Sequence, residues 1–163
     1  MSEDLPVPPP RQVLLQRIYL KDASVEVPLA PQIFTRQWNP QMDVQVGTTT
    51  TPLGNDLHQV MLTVTVTAKQ GEETGFLVEV HQAGIFQVTG FVNEIENQAI
   101  LAGYCPGVIF PFAREAVADL VQRGGFPPVL LQPINFEAVY AEHLARSREQ
   151  SAAAASAVTG TVQ

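Results

Sequence analysis

The fold of this chain is decided by the stretch TGFLVEVHQAGIFQVTGF, residues 74–91. Its alternation predicts a single β-strand, because successive side chains of a strand point to opposite faces. One face is an ordinary apolar core face with Phe76, Val78 and Val80. The other face carries Leu77, Glu79 and His81. A solvent-facing strand surface that combines leucine with a carboxylate favours the docking of a partner, and nothing in it indicates catalysis.

Three segments upstream also have strand patterns. Residues 13–27 alternate over a long span that Pro28 ends, so that Val25 and Val27 are expected to face inward. The opposite parity is expected to face outward and contains Leu14, Ile18, Leu20, Asp22, Ser24 and Glu26. A second strand contains Met42, Val44 and Val46, and is expected to end at Gly47 and the threonine run 48–51.

The clearest of these strands is residues 60–67, where apolar side chains alternate with threonine. Residues 69–73 predict a hairpin loop that leads into the stretch 74–91. Strands that follow one another through short turns favour an antiparallel sheet.

Helical patterns follow the strands. Residues 93–103 are loosely helical, and Pro111 suits the first position of a helix that the Gly124-Gly125 pair ends. Asn135 predicts the cap of a second helix, with Phe136, Val139, Tyr140, His143 and Leu144 as its stripe. Strands followed by helices predict an α+β fold, with a four-stranded antiparallel sheet followed by two main helices.

The two ends of the chain differ from the part between them. Residues 1–11 are acidic and rich in proline, and residues 147–163 are mainly alanine, serine, threonine and glutamine. We expect both to be flexible tails around a single domain at residues 12–146.

The balance of charge limits the possible partners. The 163 residues include 16 acidic and 9 basic side chains, for a net charge of −7. This argues against binding of nucleic acid and of anionic lipid, and favours a basic protein partner. The sequence shows no signal peptide, no apolar run of the roughly 20 residues that would cross a bilayer, and a single cysteine, so we expect a cytoplasmic protein with no membrane insertion.

The sequence offers little for catalysis, for a metal or for another cofactor. It contains no phosphate-binding glycine loop, and the histidines at 58, 81 and 143 have no ligand spacing. His81 could be a general base oriented by Glu79, although a surface polar pair is the favoured interpretation. Cys105 is expected to be a buried apolar residue rather than a nucleophile. We therefore predict that the chain is not an enzyme.

Two binding features remain after this search. The first is a group of side chains on strand faces away from the predicted core: Asp22, Glu26, Leu77 and Glu79. The second is the proline-bounded segment 28–40, which carries Ile33, Phe34 and Trp38. These aromatics either fix the segment onto the core or line a ligand groove, and the two interpretations carry similar weight.

The residues resemble one known family, the SecB protein-export chaperones. The resemblance covers roughly residues 12–146 and rests on motifs in a fixed order rather than on any single tetrapeptide. The motifs are Gln16-Arg17-Ile18-Tyr19, Lys21-Asp22, Trp38 with Pro40, Gly71-Glu72-Glu73-Thr74, Glu79-Val80, Gly84-Ile85-Phe86, Tyr104-Cys105-Pro106, Phe110-Pro111, Arg114-Glu115 and Pro133-Ile134-Asn135-Phe136.

The resemblance implies an ATP-independent holdase that keeps precursor proteins unfolded and delivers them to the SecA translocation motor. It implies that two protomers pair through their first strands and first helices, and that two such dimers pack into a homotetramer. The zinc-bearing C-terminal segment of SecA would dock on Asp22, Glu26, Leu77 and Glu79. The client groove would involve Phe34, Trp38, Tyr140 and Leu144.

Two other hypotheses remain open at this point. A chaperone of the same fold could serve a different client, such as an antitoxin, and would then lack the docking residues. A small α+β enzyme or ligand carrier could use His81 and Glu79, and would need an enclosed pocket around that pair.

Overall fold

A four-stranded antiparallel sheet carries the other elements of the molecule. The computed structural model describes residues 5–159. The strands are β1 (Gln12–Glu26), β2 (Gln41–Gly54), β3 (Leu57–Gln70) and β4 (Glu73–Thr89), in the spatial order β1-β4-β3-β2. The helices are α1 (Glu94–Ala99), α2 (Cys105–Arg123) and α3 (Phe136–Thr159), with a π-helical turn at Ile100–Tyr104 between α1 and α2. The predicted α+β class, sheet first and helices last, is confirmed.

The core lies between one face of the sheet and α2. Side chains of β3 and β4 alternate as predicted, and those that face α2 are fully buried: Val60, Leu62, Val64, Val66, Phe76, Val78 and Val80. They meet a helical stripe at four-residue spacing, formed by Ile109, Ala113, Val117 and Val121. Each large side chain removed from water in this way contributes about 1.5–3 kcal/mol, so α2 is held to the sheet mainly by this layer.

The strand order requires one long connection. β2, β3 and β4 follow each other through tight turns, where Asn55, Asp56 and Gly71 adopt the positive φ values of 53°, 61° and 66°. β1 pairs with β4 rather than with β2. Residues 27–40 therefore cross from one edge of the sheet to the other, with a single 3₁₀ turn at Gln32–Thr35. This is a Greek-key arrangement.

Two expectations about the strands are wrong. β2 does not end at Gly47, because the threonine run 48–51 continues to pair with β3 and the pairing extends to Gly54 opposite Leu57. Threonine is β-branched and suits a strand, so the run extends β2. β1 contains two register shifts, which leave Gln16 and Lys21 as extra residues.

The shifts in β1 change which side chains share a face. Ile18 pairs with Gly84 and Leu20 with Gln82, whereas Asp22 pairs with His81. Since each extra residue reverses the alternation, Ile18 and Leu20 face the helices and not the side that carries Asp22. The predicted side-chain direction is correct for Asp22, Glu26, Val25 and Val27 and is wrong for Ile18 and Leu20.

The helix boundaries also differ from expectation. Pro111 lies inside α2, which begins at Cys105 and has Pro106 in its first turn. α2 continues directly from the π-helical turn, since Tyr104 has helical backbone angles, and the buried stripe of α2 packs on the sheet on both sides of Pro111. The predicted cap of α3 is confirmed, because the amide of Ala138 donates to Oδ1 of Asn135 at 3.0 Å.

The predicted tails differ in structure. Residues 5–11 have no regular secondary structure, and residues 147–159 continue α3 instead of leaving it. Alanine has the highest helix propensity, which explains the extension. The remaining residues of the predicted tails, 1–4 and 160–163, lie outside the described part of the chain. None of the helices within residues 5–159 is long and apolar enough to cross a membrane.

Cys105 begins α2 and is completely buried in the core, as predicted. Burial disfavours the charged thiolate, and desolvation raises the pKa of the Cys105 thiol from 9.0 to about 12. Since the thiolate is the reactive form, Cys105 is protected both by its low ionised fraction and by its burial.

We predict that native Cys105 reacts with a maleimide at least about 100-fold more slowly than an exposed thiol at pH 8, because burial raises its pKa and so lowers the fraction present as thiolate. The comparison is a variant in which Cys105→Ala removes the native thiol and Ser147→Cys places one on the exposed side of α3. Labelling is followed by mass spectrometry. Equal rates for the two folded proteins would contradict the burial of Cys105.

Candidate functional site

The strand pairing gathers the four predicted docking residues on one face of the sheet. In the β1–β4 ladder, Glu26 lies opposite Leu77 and Asp22 lies opposite His81. Directly paired residues of antiparallel strands project to the same side. We call this surface the acidic face and define it by Asp22, Ser24, Glu26, Leu77, Glu79 and His81. It lies on the side of the sheet away from α2.

The side chains of the acidic face are accessible. Leu77 is only half-buried, so it is not sealed inside the protomer, and Asp22 and Glu26 are exposed. Oε1 of Glu79 lies 2.7 Å from Nε2 of His81, with 42% and 27% of the two side chains exposed. Oδ1 of Asp22 accepts from the amide of Ala23 at 3.0 Å. The face therefore offers carboxylate oxygens around one apolar side chain.

The Glu79–His81 pair does not have the surroundings that a general base requires. Its neighbours across β3 are Thr65 and Thr63, which continue the open face. The enclosed pocket required by the enzyme hypothesis is therefore missing at this pair. Among residues 5–159, no group of three or more histidine, cysteine, aspartate or glutamate side chains is arranged to hold a metal ion.

The acidic face extends further than the sequence indicated. Leu77 pairs with Thr67 on β3, and Thr67 pairs with Asp43 on β2. A row from Glu26 through Leu77 and Thr67 to Asp43 therefore crosses the whole sheet. Asp43 was missed because strand order, not sequence, brings β2 into line with β1; its position between Met42 and Val44 was the available signal.

The crossing segment forms an aromatic cluster on the other side of the sheet. The Trp38 ring centroid lies 4.6 Å from that of Phe126 and 6.1 Å from that of Phe76. Phe34 lies 5.3 Å from Phe126. The glycines beneath the rings provide the space, because a Cβ at Gly75 would overlap the six-membered ring of Trp38 and one at Gly125 would come within 3.0 Å of Phe34.

The segment packs onto the core and also lines an open depression. Ile33 is buried and fixes the segment onto the core, while Phe34 stays 50% exposed. The aromatics also leave an open groove of 180 Å³, lined by Ile33, Phe34, Arg36, Trp38, Gly125, Phe126 and Pro127. We call it the aromatic groove. Phe126 was not singled out from the sequence, although its place directly after Gly124-Gly125 marks it as a residue at a helix end.

The other predicted groove residues lie elsewhere. Tyr140 and Leu144 of α3 line a depression of 360 Å³ with Ile100 and Tyr104. Tyr140 also lines a depression of 370 Å³ that reaches Val46 of β2. The structure thus brings Phe34 together with Trp38, and Tyr140 together with Leu144, but the two pairs do not line one common cavity.

This arrangement of an open sheet face, a crossing aromatic segment and a final helix defines a SecB-like chaperone fold. A solved SecB-like chaperone of Mycobacterium tuberculosis, in complex with a ChAD peptide from the HigA1 antitoxin, matches with a TM-score of 0.63. The match covers 75% of this chain and 90% of that chain at 19% identity, so it establishes the fold alone.

The chain belongs to the SecB family. Residues 8–147 match the family described as "Preprotein translocase subunit SecB". The protein-export protein SecB of Nitrosococcus oceani is 49% identical over 146 residues, covering 88% of this chain and 87% of that protein. The SecB of Thioalkalivibrio sulfidiphilus is 48% identical over 153 residues, covering 93% and 90%.

Family membership gives the function in outline. The chain is a protein-export chaperone of the SecB type, from a family that binds unfolded client proteins. It is a family of chaperones and not of enzymes. A different client such as an antitoxin, considered from the sequence, is not favoured by these relatives.

The fit of Trp38 over Gly75 gives a testable expectation. Gly75→Ala should destabilise the protein by about 1–3 kcal/mol, because the new methyl group overpacks the site beneath the indole. Gly47→Ala is the matched control, since a Cβ at this strand glycine meets nothing within 4 Å. Urea unfolding compares the two. Equal midpoints for both variants would show that Trp38 does not rest on Gly75.

Proposed function

We propose that this protein is an ATP-independent holdase of the bacterial cytoplasm that keeps precursor proteins unfolded and hands them to SecA. The observation that supports the proposal is that the two faces of one sheet have different chemical character. The acidic face lies on one side of β4, and the aromatic groove lies on the other side, against Phe76 of the same strand. A carrier that binds its client and its receptor simultaneously needs two such surfaces.

The acidic face suits the zinc-bearing C-terminal segment of SecA. That segment is basic in the family, and the face has at its centre the half-buried Leu77 among Asp22, Glu26 and Glu79. Opposite potentials steer the encounter and fix the register, while an apolar side chain supplies area to bury. Since the face is wide and shallow, it suits an extended segment better than a small molecule.

Reversal of charge on the acidic face should remove docking. We expect Glu79→Lys and Asp22→Lys each to weaken binding of a synthetic SecA C-terminal zinc peptide at least about tenfold, because like charges then face each other. Isothermal titration calorimetry at physiological ionic strength measures this.

Glu149→Lys is the control, because it makes the same change in net charge at an exposed position of α3, a helix that packs on the side of the sheet opposite the acidic face. Its affinity should stay within about twofold of the wild type, since remote surface charges are screened. If all three variants bound alike, docking on the acidic face would be refuted.

Client binding is assigned to the apolar depressions beside the helices. Unfolded chains expose apolar side chains, and their burial yields about 25 cal/mol per Å². The client loses conformational freedom when it is held, so the net affinity per unit area is low and several sites must be engaged. The aromatic groove and the depressions around Tyr140 and Leu144 provide separate sites for one chain.

Assembly into a homotetramer would multiply these sites. β1 is an edge strand of the described sheet, so its outer hydrogen-bonding groups are available for a second protomer. Leu15 and Leu20 project from β1 to the helix side and remain 42% and 50% exposed, as expected for a strand that pairs with its equivalent. With four protomers, a second engagement by a bound client becomes effectively intramolecular. Release then needs no ATP, because the motor can compete for the client.

Truncation of the aromatic groove should weaken the holding of clients. We expect Trp38→Ala to lower the suppression of aggregation of a denatured precursor, measured by light scattering at stoichiometric ratios without nucleotide. Phe34→Ala, at a more exposed ring, tests the same groove with less risk to the core. Leu130→Ala is the control, as it removes an exposed leucine outside the groove. Unchanged scattering for both groove variants would remove the groove from client binding.

A further inference from the structure

One glutamine side chain holds the backbone on both sides of Trp38. Nε2 of Gln70 donates to the carbonyl oxygen of Gln37 at 2.9 Å, and Oε1 of Gln70 accepts from the amide of Asn39 at 2.8 Å. The direction of the amide follows from its partners, because a backbone carbonyl only accepts and a backbone N–H only donates. The two bonds together resemble one rung of a β-ladder.

We propose that Gln70 is a positioning residue for the aromatic groove, which it keeps in a binding-ready shape by fixing Trp38. The inference rests on the proposed function, in which this groove receives clients. Gln70 is not among the residues that line the groove. It acts through the segment that carries the indole.

The location of Gln70 makes this tie effective. It is the last residue of β3, half-buried, directly before the tight turn at Gly71. Its side chain therefore projects from an inner strand, since β3 lies between β2 and β4. The irregular segment that carries Trp38 is thereby attached to a rigid support.

A second polar contact lies in the same place. Arg36 pairs with Glu73 across the same gap, but 44% and 50% of the two side chains are exposed. Exposed ion pairs contribute little in water. Gln70 differs in kind, because its two hydrogen bonds, at 2.9 and 2.8 Å, go to the backbone on either side of Trp38 and so fix the segment directly.

The effect on binding follows from preorganisation. A flexible client already loses conformational freedom on binding, and a groove that must also be ordered adds to this cost. Trp38 packs against Phe126 and over Gly75. These contacts form only when the segment lies at a fixed distance from the sheet. Without Gln70 the indole is expected to sample other positions, and the groove to bind clients less tightly.

Trp38 is the single tryptophan of the chain, so its fluorescence reports directly on this position. The test uses Gln70→Met, which keeps the length of the side chain and removes both hydrogen bonds. The conservative variant Gln70→Glu keeps the acceptor for Asn39 and loses the donor to Gln37. Gln150→Met is the control, with the same chemical change at an exposed position on α3.

We expect Gln70→Met to shift Trp38 emission to longer wavelength, lower its anisotropy and weaken the binding of an unfolded precursor about tenfold, in line with the loss of two hydrogen bonds. Gln70→Glu should show smaller changes in Trp38 fluorescence and in precursor binding than Gln70→Met, and Gln150→Met should change neither property. Far-UV circular dichroism confirms that the variants are folded; if Gln70→Met is not, Gln70→Glu decides in its place.

An unchanged Trp38 spectrum in Gln70→Met would overturn the proposal, whatever happens to client binding. A changed spectrum with wild-type affinity would equally overturn it, since the position of the indole would then be irrelevant to clients. If Trp38→Ala also binds clients normally, the aromatic groove is not a client-binding site and the proposed function is wrong on this point. If Trp38→Ala is defective and Gln70→Met is not, the groove stands and the role of Gln70 fails.

Discussion

The pairing of β1 with β4 is the constraint on which both proposed surfaces depend. It places Glu26 beside Leu77 and Asp22 beside His81, and so creates one acidic face from two segments more than 50 positions apart in the sequence. Side chains alternate with a period of two, so a slip of one residue would move every side chain of β1 to the other face. The acidic face is therefore a property of the register and not of its residues alone.

The extra residues in β1 show how finely this register is set. Leu20 and Asp22 have the same parity, yet Leu20 faces the helices and Asp22 faces away from them, because Lys21 interrupts the alternation between them. The same strand can thus present leucines to one side along its middle and carboxylates to the other side near its end. A regular strand with this sequence would place Leu20 on the acidic face.

Sequence reasoning predicted the parts of the molecule that local pattern determines. The alternation of β4, the cap at Asn135 and the outward direction of Asp22, Glu26, Leu77 and Glu79 all follow from periodicity or from the chemistry of one position. The interruption at Lys21 was not predicted, because neither glycine nor proline marks it. The place of Asp43 on the acidic face and of Phe126 in the aromatic groove depends on strand order and helix packing, which no short stretch records.

The same strand pairing also explains the aromatic groove. Since β4 occupies the place next to β1, the chain must cross the sheet to begin β2 at its far edge. The crossing passes over the helix side at the β3–β4 hairpin, where Gly75 is an extra residue of β4 and leaves room for an indole. Trp38 lies there against Phe76, whose neighbour Leu77 points to the acidic face. Partner and client would therefore occupy opposite sides of one strand, so the receptor need not displace the client in order to dock. Transfer then requires competition for the client itself, which is consistent with a carrier that has many weak apolar contacts and one charged docking surface.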